Sequence, residues 1–211
     1  MSADRSSAAA ALFNKYAKEY QERFGDTSAY HESFDAFCDA VKHKDASILE
    51  LACGPGNITS YLLRKRPDFK ILATDLSPNM LKVAKQHNRA AEFTLMDCRE
   101  LLKLNRKFDG IVMGFCLPYL SMEETQKLFQ DAAFMLISGG AVYISTMEDD
   151  YAKSGFQKSS KGDEIFMHFY TEELLSGMLK QSGLEITWKQ RKITLDSVGK
   201  EVTDLLIVAV K

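Results

Sequence analysis

The stretch that decides the fold runs from Ile48 to Thr59 and reads ILELACGPGNIT. Its first five residues form a short apolar run that ends in a glycine-rich turn, the pattern of a buried strand. Gly54 and Gly56 allow the backbone to turn tightly and to approach a ligand without a Cβ in the way. A helix that begins near Asn57 would offer free N–H groups at its start. The stretch therefore predicts a strand, a ligand-binding turn and a helix.

Strands and helices alternate along the chain after this turn. Four further apolar runs predict strands, at Lys70–Thr74, Ala91–Met96, Phe108–Gly114 and Ala141–Thr146. Ser77-Pro78 supplies an N-cap and a first-turn proline for one intervening helix. A capping box at Ser121–Glu124 opens a long helix that we expect to end at Gly139-Gly140. This alternation predicts a parallel sheet with helices on both faces.

The two ends of the chain add to this core. Glu185–Ile193 and Val202–Val210 are β-rich and leave no room for a crossover helix, so they predict an antiparallel hairpin. Near the start, apolar residues at helical spacing predict two amphipathic helices, with the stripes Leu12, Tyr16, Tyr20, Phe24 and Tyr30, Phe34, Phe37, Val41. The predicted fold is α/β: a Rossmann-like, doubly wound sheet of seven strands, mostly parallel with an antiparallel C-terminal edge hairpin, and extra N-terminal helices.

Length and composition fit a single domain. The chain has 211 residues, 45% of them hydrophobic, and a formal net charge of −2. A chain of this length can bury a full core. Within one domain we expect an N-terminal helical cap (1–44), a cofactor-binding core (45–146), a substrate-side insertion (147–170) and a C-terminal helix with a β-hairpin (171–211).

Composition also argues against several classes of protein. The chain lacks the basic surplus with which nucleic-acid binders neutralise phosphates, so no nucleic-acid partner is expected. No apolar run approaches the length that spans a bilayer, and residues 1–11 lack the apolar core of a signal peptide. The four cysteines are scattered without metal-ligand or disulfide spacing. We expect a cytoplasmic protein, monomeric or homodimeric, with no metal and no membrane association.

The residues around the turn indicate which ligand it binds. Asp75 ends the second predicted strand, placed to accept the ribose hydroxyls of an adenosine. A dinucleotide site requires Gly or Ala where this chain has Thr59, and Glu50 would put a negative charge near the pyrophosphate. S-adenosylmethionine has no phosphate and carries a sulfonium and an ammonium group. Acidic residues at the turn therefore favour S-adenosylmethionine over NAD.

Four ordered segments resemble the motifs of class I S-adenosylmethionine-dependent methyltransferases of the small-molecule type. They are ILELACGPGNIT (Ile48–Thr59), ATDLSPNML (Ala73–Leu81), MDCREL (Met96–Leu101) and FDGIVMGFCLPYL (Phe108–Leu120). The resemblance covers residues 45–146, with a family-like order of elements continuing to the C-terminus. One departure is Ala52, where many members of the family have the first glycine of the turn.

The resemblance implies cofactor-binding roles in each segment. Residues of the turn would line the methionine end of the cofactor: Glu50, Ala52, Gly54, Gly56 and Asn57. Residues after the second and third strands would hold the ribose and the adenine: Asp75, Leu76, Met80, Asp97 and Cys98. Residues after the fourth strand would form the wall beneath the sulfonium: Met113, Gly114 and Phe115. Tyr16 and Tyr20 resemble the aromatic helix that closes over the cofactor in small-molecule members, although their spacing fits core packing equally.

His168 is the candidate catalytic residue. It lies in the region where related enzymes build the substrate pocket, and the unperturbed pKa of a histidine, near 6.5, suits a general base. Its aromatic neighbours also suit a core strand that contains one hydrogen-bonded histidine. The candidate substrate-side residues are Tyr119, Phe166 and Tyr170.

Methyl transfer from a sulfonium is an in-line displacement, so the main task of the protein is to hold both reactants in that geometry. The predicted acceptor is an O, N or C nucleophile of a small molecule. The fourth strand is followed by GFCLPY (Gly114–Tyr119), which lacks the NPPY-like turn of enzymes that methylate exocyclic base amines. Two alternatives stay open: a non-catalytic protein that binds S-adenosylmethionine, and an NAD-dependent oxidoreductase.

Overall fold

The computed structural model describes residues 5–158, 162–195 and 201–211. The helices in this part of the chain are α1 (Arg5–Lys15), α2 (Ala17–Phe24), α3 (His31–Ala40), α4 (Asn57–Lys65), α5 (Pro78–His87), α6 (Met122–Met135) and α7 (Glu172–Gln181). The strands are β1 (Ser47–Leu51), β2 (Lys70–Asp75), β3 (Glu92–Leu95), β4 (Phe108–Gly114), β5 (Leu136–Glu148), β6 (Gly155–Lys158), β7 (Glu164–Met167), β8 (Glu185–Leu195) and β9 (Glu201–Val210). Short 3-10 segments lie at Ser28–Tyr30, Cys98–Leu104, Leu117–Tyr119 and Tyr151–Lys153.

Seven of these strands form one sheet in the order β3-β2-β1-β4-β5-β9-β8. The first five in that order run parallel, whereas β9 lies antiparallel to both β5 and β8. The strand order reverses between β1 and β4, and open α/β sheets bind their ligands at such a point. The predicted doubly wound sheet with an antiparallel edge pair is confirmed. A separate hairpin of β6 and β7, which the sequence did not predict, occupies part of 147–170.

The sheet is covered on both faces, which explains why its central strands are apolar. One face packs against α3 and α4 through residues such as Phe37 and Leu62. The other packs against α6 and α7 through Phe129 and Leu175, and all four side chains are nearly or fully buried. Burial of each contributes about 1.5–3 kcal/mol to folding. Among the described helices, none is both long and apolar enough to cross a membrane.

Two predicted helix boundaries are wrong. Helix α6 ends at Met135 rather than at Gly139-Gly140, and Leu136 begins β5. Leu136 is fully buried and pairs with Phe108 of β4, so burial of an apolar side chain outweighs the glycine stop signal. Gly139, with a φ of +75°, lies instead beside an irregularity in the pairing of β4 and β5. The single N-terminal helix predicted through Tyr16 is divided there (φ −113°, ψ 25°) into α1 and α2.

The turn between β1 and α4 depends on left-handed backbone conformations. Gly56 has a φ of +81°, and a Cβ added to it would lie 2.6 Å from the side-chain nitrogen of Asn88, so the position has no room for a side chain. Ala52 has a φ of +51°. That conformation costs an L-residue about 1–2 kcal/mol. Strain at Ala52 is a physical reason for the glycine that related sequences have there.

We predict that Ala52→Gly raises the free energy of unfolding by about 0.5–1 kcal/mol, because glycine removes the strain at a smaller cost in chain entropy. Urea denaturation measures the change. Ala73→Gly is the matched control, since Ala73 is buried in the extended strand β2 and the same substitution there should cost about 1 kcal/mol. A loss of stability in Ala52→Gly would contradict the assignment of strain.

The Glu50 carboxyl group lies inside the protein, near the end of β1. The residue is 1% exposed, and the Thr59 hydroxyl of α4 donates a hydrogen bond of 2.5 Å to its Oε2 atom. Burial raises the pKa of Glu50 to about 8, with a smaller rise from Asp75 and an opposing effect of the Thr59 hydrogen bond. Glu50 is therefore mostly protonated in the folded protein near neutral pH and ionised in the unfolded chain.

This shift in pKa makes stability depend on pH. Glu50 contributes fully below its ordinary pKa of 4.5, and the contribution is lost as the pH rises through about 8. Glu50→Gln should abolish this dependence, so the variant should gain stability relative to the wild type between pH 5 and pH 8. Urea denaturation at a series of pH values tests it. Glu92→Gln, at an exposed position of β3, is the control, and its free energy of unfolding should follow the wild-type dependence on pH. If the free energies of unfolding of Glu50→Gln and the wild type change with pH in parallel, the prediction is wrong.

Candidate active site

A cavity lies at the carboxyl edge of the sheet, beside the ends of β1 and β4. The space between its walls measures about 740 Å³, which includes volume open to solvent. The sequence-predicted residues that line it are Tyr20, Ala52, Gly54, Asp75, Leu76, Met80, Asp97, Cys98, Gly114, Phe115 and Tyr119. Folding thus brings together residues from all four motif segments and from α2.

Asp75 connects three elements at this edge. It ends β2, and its two carboxylate oxygens accept hydrogen bonds from the backbone N–H groups of Gly54 and Ser77, each at 2.8 Å. Burial raises the pKa of Asp75, and the backbone hydrogen bonds oppose the rise. The carboxylate therefore holds the β1 turn and the start of α5 in fixed positions around the cavity.

Asp97 is held in a network of ionic hydrogen bonds. The guanidinium of Arg99 contacts both of its carboxylate oxygens, with its closest nitrogen 2.6 Å from Oδ2. Arg99 also donates to Glu124 at 2.8 Å, and Glu124 closes the capping box of α6 by accepting from the Ser121 N–H. This network fixes Asp97 against α6 with its side chain at the cavity wall.

Several residues expected at the cofactor lie outside the cavity lining: Tyr16, Glu50, Gly56, Asn57 and Met113. Glu50 and Met113 are buried behind the wall. The Tyr16 hydroxyl donates a hydrogen bond of 2.7 Å to Asp163, the residue just before β7. The Asn57 side chain donates to the Phe24 carbonyl at 2.9 Å. Tyr16 and Asn57 thus hold α1 and α2 in place rather than form the wall.

The substrate-side predictions divide in the same way. Tyr119 lines the cavity, whereas Tyr170 is fully buried, with its hydroxyl donating to the Leu120 carbonyl at 2.6 Å. Phe166 of β7 also lies outside the lining, and the guanidinium of Arg5 sits 3.6 Å from its ring centre. Tyr170 therefore belongs to the core, and Phe166 packs under Arg5 of α1.

His168, the candidate base, also lies outside the cavity lining. It is 6% exposed, its backbone N–H donates to the Pro118 carbonyl at 2.7 Å, and its Nδ1 atom is 3.2 Å from the Tyr151 hydroxyl. Burial lowers the pKa of His168, and the charge of Arg5 lowers it further. The structure thus surrounds this histidine with packing and hydrogen-bond partners, and it does not place it beside the predicted cofactor residues.

The sequence reasoning missed the part of α1 that covers the cavity. Its lining residues occupy positions i, i+3, i+4 and i+7 of one helix face: Ser6, Ala9, Ala10 and Phe13. Ser6 donates to the Tyr119 carbonyl at 2.7 Å. At the other end of α1, Asn14 accepts hydrogen bonds from the Ser77 hydroxyl and from the Asn79 N–H. The helical spacing of these residues is visible in the sequence. Small residues of low polarity do not by themselves indicate a binding surface, so the sequence analysis did not predict one.

Aromatic rings form the wall opposite the turn. Phe13 makes edge-to-face contacts with Tyr20 and Tyr119, with ring centres 5.6 Å and 5.2 Å apart. Burial raises the pKa of Tyr20 to about 12, and the nearby Asp75 carboxylate adds to the rise; burial likewise raises the pKa of Tyr119. Both phenols are therefore neutral at physiological pH.

The charges of the lining fit a cationic ligand without phosphates. Asp75 and Asp97 are its carboxylates, the second of them paired with Arg99 behind the wall, and the lining residues include no Lys, Arg or His in the described part of the chain. In the same part, no group of three or more His, Cys, Asp or Glu side chains is arranged to hold a metal ion. An adenosine with a positively charged tail fits such a wall, whereas a pyrophosphate lacks a counter-charge there.

Comparison with known proteins agrees with this geometry. The model of a family described as a methyltransferase domain matches residues 48–140. The chain is 36% identical over 162 residues to a malonyl-[acyl-carrier protein] O-methyltransferase of Acetivibrio thermocellus, covering 73% of this chain and 56% of the relative. It is 26% identical over 212 residues to a tRNA N(3)-methylcytidine methyltransferase of Schizosaccharomyces pombe, covering 90% and 83%. It spans about half or less of several other curated relatives, for example 49%, 42% and 36% of their lengths.

The fold is shared with solved structures. A magnesium protoporphyrin IX methyltransferase from Synechocystis superposes with a TM-score of 0.74 at 14% identity, covering 99% of this chain and 100% of the other. The match extends beyond the motif region to the N-terminal helices and the antiparallel strands. The family model identifies residues 48–140 as a methyltransferase domain, and the ordered motifs and the fold are those of class I S-adenosylmethionine-dependent methyltransferases.

Proposed function

We propose that this chain transfers a methyl group from S-adenosylmethionine to a nucleophilic atom of a small molecule. The observation that carries the proposal is the cover formed by α1, whose residues Ser6, Ala9, Ala10 and Phe13 face the cavity. Hydrogen bonds tie both ends of α1 to the walls, at Tyr119 and at Asn79. A helix across the cavity narrows access to it and favours a small acceptor over a bulky one.

The lining supports specific roles toward the cofactor. Asp75 accepts the ribose hydroxyls, Asp97 receives the adenine amino group beside the Cys98 backbone, and Leu76 and Met80 pack near the adenine. The glycine-rich turn gives the methionine end close access to the backbone, with Glu50, Gly56 and Asn57 supporting it from behind. Met113 supports the wall of Gly114 and Phe115 in the same way. These roles follow the family pattern, and the positions in the cavity fit them.

The residues of the chain have few chemical tasks in this reaction. When bound, S-adenosylmethionine supplies an activated methyl group with a neutral thioether as its leaving group. The aromatic wall of Phe13, Tyr20, Phe115 and Tyr119 excludes water and restricts the approach of the acceptor. Positioning of two reactants for in-line attack supplies much of the rate enhancement in such a case. The cavity is therefore expected to act mainly by orientation and desolvation.

A tRNA acceptor is the second candidate, because the fission yeast relative is a tRNA methyltransferase and the chain covers 83% of it. The chain's net charge of −2 and the cover of α1 over the cavity favour the small molecule. The two candidates differ in the size of the labelled product, so one experiment separates them.

The first prediction concerns the cofactor. Calorimetric titration should give micromolar binding of S-adenosylmethionine and S-adenosylhomocysteine and no binding of NAD. Asp75→Ala should weaken binding by about 100-fold, since it removes charged hydrogen bonds to the ribose. Asp68→Ala, at an ion pair with Arg66 far from the cavity, is the control and should bind normally. Binding of NAD alone would instead indicate an oxidoreductase.

The second prediction concerns the acceptor. The protein is incubated with S-adenosylmethionine labelled in its methyl group and with a cell extract divided into small molecules, RNA and protein. Label should enter the small-molecule fraction. Label in the RNA fraction alone would replace the proposal with the tRNA alternative, and binding without transfer to any fraction would indicate a non-catalytic binding protein.

A further inference from the structure

The carboxyl edge of the sheet is divided between two regions. Residues proposed to hold the cofactor follow β3, β2, β1 and β4 in that spatial order: Asp97, Asp75, Gly54 and Phe115. The edge continues over β5 and β9, and the first half of β9 lies at the same end because it runs antiparallel to β5. With the first region assigned to the cofactor, the second is the part of this edge left for an acceptor.

A phenol and a carboxylate meet in that second region. The Tyr30 hydroxyl, just before α3, donates a hydrogen bond of 2.7 Å to Oδ2 of Asp204 on β9. Asp204 lies opposite Met147 of β5 and is 4% exposed. The half-buried Tyr30 ring packs edge-to-face on Phe115, with ring centres 5.6 Å apart, so the pair adjoins a residue that lines the cavity.

The Asp204 carboxylate has few partners for a buried charge. Among the described residues, Tyr30 is its single hydrogen-bond donor, and no cationic side chain forms an ion pair with it. The two carboxylates of the cavity wall have more: Asp75 accepts two backbone N–H groups, and Asp97 is bound by Arg99. The buried Glu50 resembles Asp204 in having one donor, the Thr59 hydroxyl, among the described residues. Buried carboxylates with so few donors are costly, and such sites are commonly functional.

Resting on the proposed function, we propose that Tyr30 and Asp204 accept the proton of a protic acceptor, an N–H or O–H nucleophile. A carboxylate acceptor is disfavoured, because it would bring a second negative charge to Asp204 and has no proton to lose. Tyr30 contacts the acceptor and is the catalytic residue of the pair. Asp204 acts through Tyr30 and is the positioning residue.

The proposed step balances as follows. The lone pair of the acceptor atom forms a bond to the methyl carbon, the bond between that carbon and sulfur breaks, and its electron pair stays on sulfur. The proton of the acceptor passes to the Tyr30 oxygen while the Tyr30 proton passes to Oδ2 of Asp204. Asp204 then releases the proton to solvent. No oxidant or further reactant is required.

The neighbours of the pair define its pH dependence. Tyr20 of α2 and Tyr143 of β5 are the titratable groups near Tyr30, Ser33 of α3 lies beside Tyr143, and Lys192 of β8 is opposite Asp204 in the sheet. Burial raises the pKa of Asp204, and the Tyr30 hydrogen bond opposes the rise. Since only the ionised carboxylate accepts a proton, the rate should fall as the pH falls through that raised value.

The test compares two variants with a matched control. Tyr30→Phe and Asp204→Asn should each slow transfer to the labelled small-molecule acceptor by about 100-fold, the usual range for loss of a general base. The acid limb of the pH profile should disappear in Asp204→Asn. S-adenosylhomocysteine affinity by calorimetry should be unchanged, since the pair lies outside the cofactor region. Tyr61→Phe breaks a similar phenol–carboxylate bond, 2.6 Å to Asp35, away from the cavity, and should leave the rate unchanged.

The stability of the labelled methyl group in alkali gives a second readout that does not depend on the rate of transfer. The labelled product is heated in alkali: an ether or N-methyl group keeps its label, whereas a methyl ester releases labelled methanol. Retained label together with the two slow variants supports the proposal. Released methanol, or wild-type rates and pH profiles in both variants, would overturn it while leaving the proposed function intact. Label in RNA, or no transfer at all, would overturn the proposed function and this inference with it.

Discussion

The hydrogen bonds of Asp75 are the constraint on which the rest of the site depends. One carboxylate oxygen accepts the Gly54 N–H of the β1 turn, and the other accepts the Ser77 N–H at the start of α5. Neighbouring strands of a parallel sheet end at the same edge, so one short side chain reaches both loops. The turn must approach Asp75 closely to make this bond. The left-handed backbone conformations at Ala52 and Gly56 are compatible with that approach. A change at Asp75 therefore affects the shape of the cleft as well as its charge.

The cover formed by α1 decides what the cleft can admit. Its small residues Ala9 and Ala10 let the helix lie close over the cavity, while Asn14 and Ser6 bond it to opposite walls. Outside the lining, the β6–β7 hairpin also contacts α1: the Arg5 guanidinium stacks on Phe166, and Lys15 donates to Asp163, just before β7. Helix α1 thus connects the cavity to this hairpin.

Sheet topology separates the tasks along the edge. Among the parallel strands, β2 ends in Asp75, β4 ends in Gly114, and Asp97 follows β3, residues that suit a cationic nucleoside. The end of β5 and the start of β9 lie near the Tyr30–Asp204 pair. The carboxylates differ in their partners. Asp75 and Asp97 are stabilised by N–H donors and a guanidinium, and Asp204 has one phenol among the described residues. Carboxylates held in such different ways are suited to different roles, binding in one region and proton transfer in the other.

The sequence alone determined the sheet, the strand-turn-helix at Ile48–Thr59 and most of the wall around Asp75, because local periodicity and glycine positions encode these features. Only the tertiary structure placed Tyr170 in the core, His168 outside the cavity lining and the end of α6 before Gly139. For Tyr170 and for α6, burial of an apolar side chain outweighed a local signal. The position of α1 over the cavity and the hydrogen bond between Tyr30 and Asp204 were also not predicted. A contact between residues so distant in sequence forms only when the folded elements pack around the sheet, and no local sequence pattern predicts it.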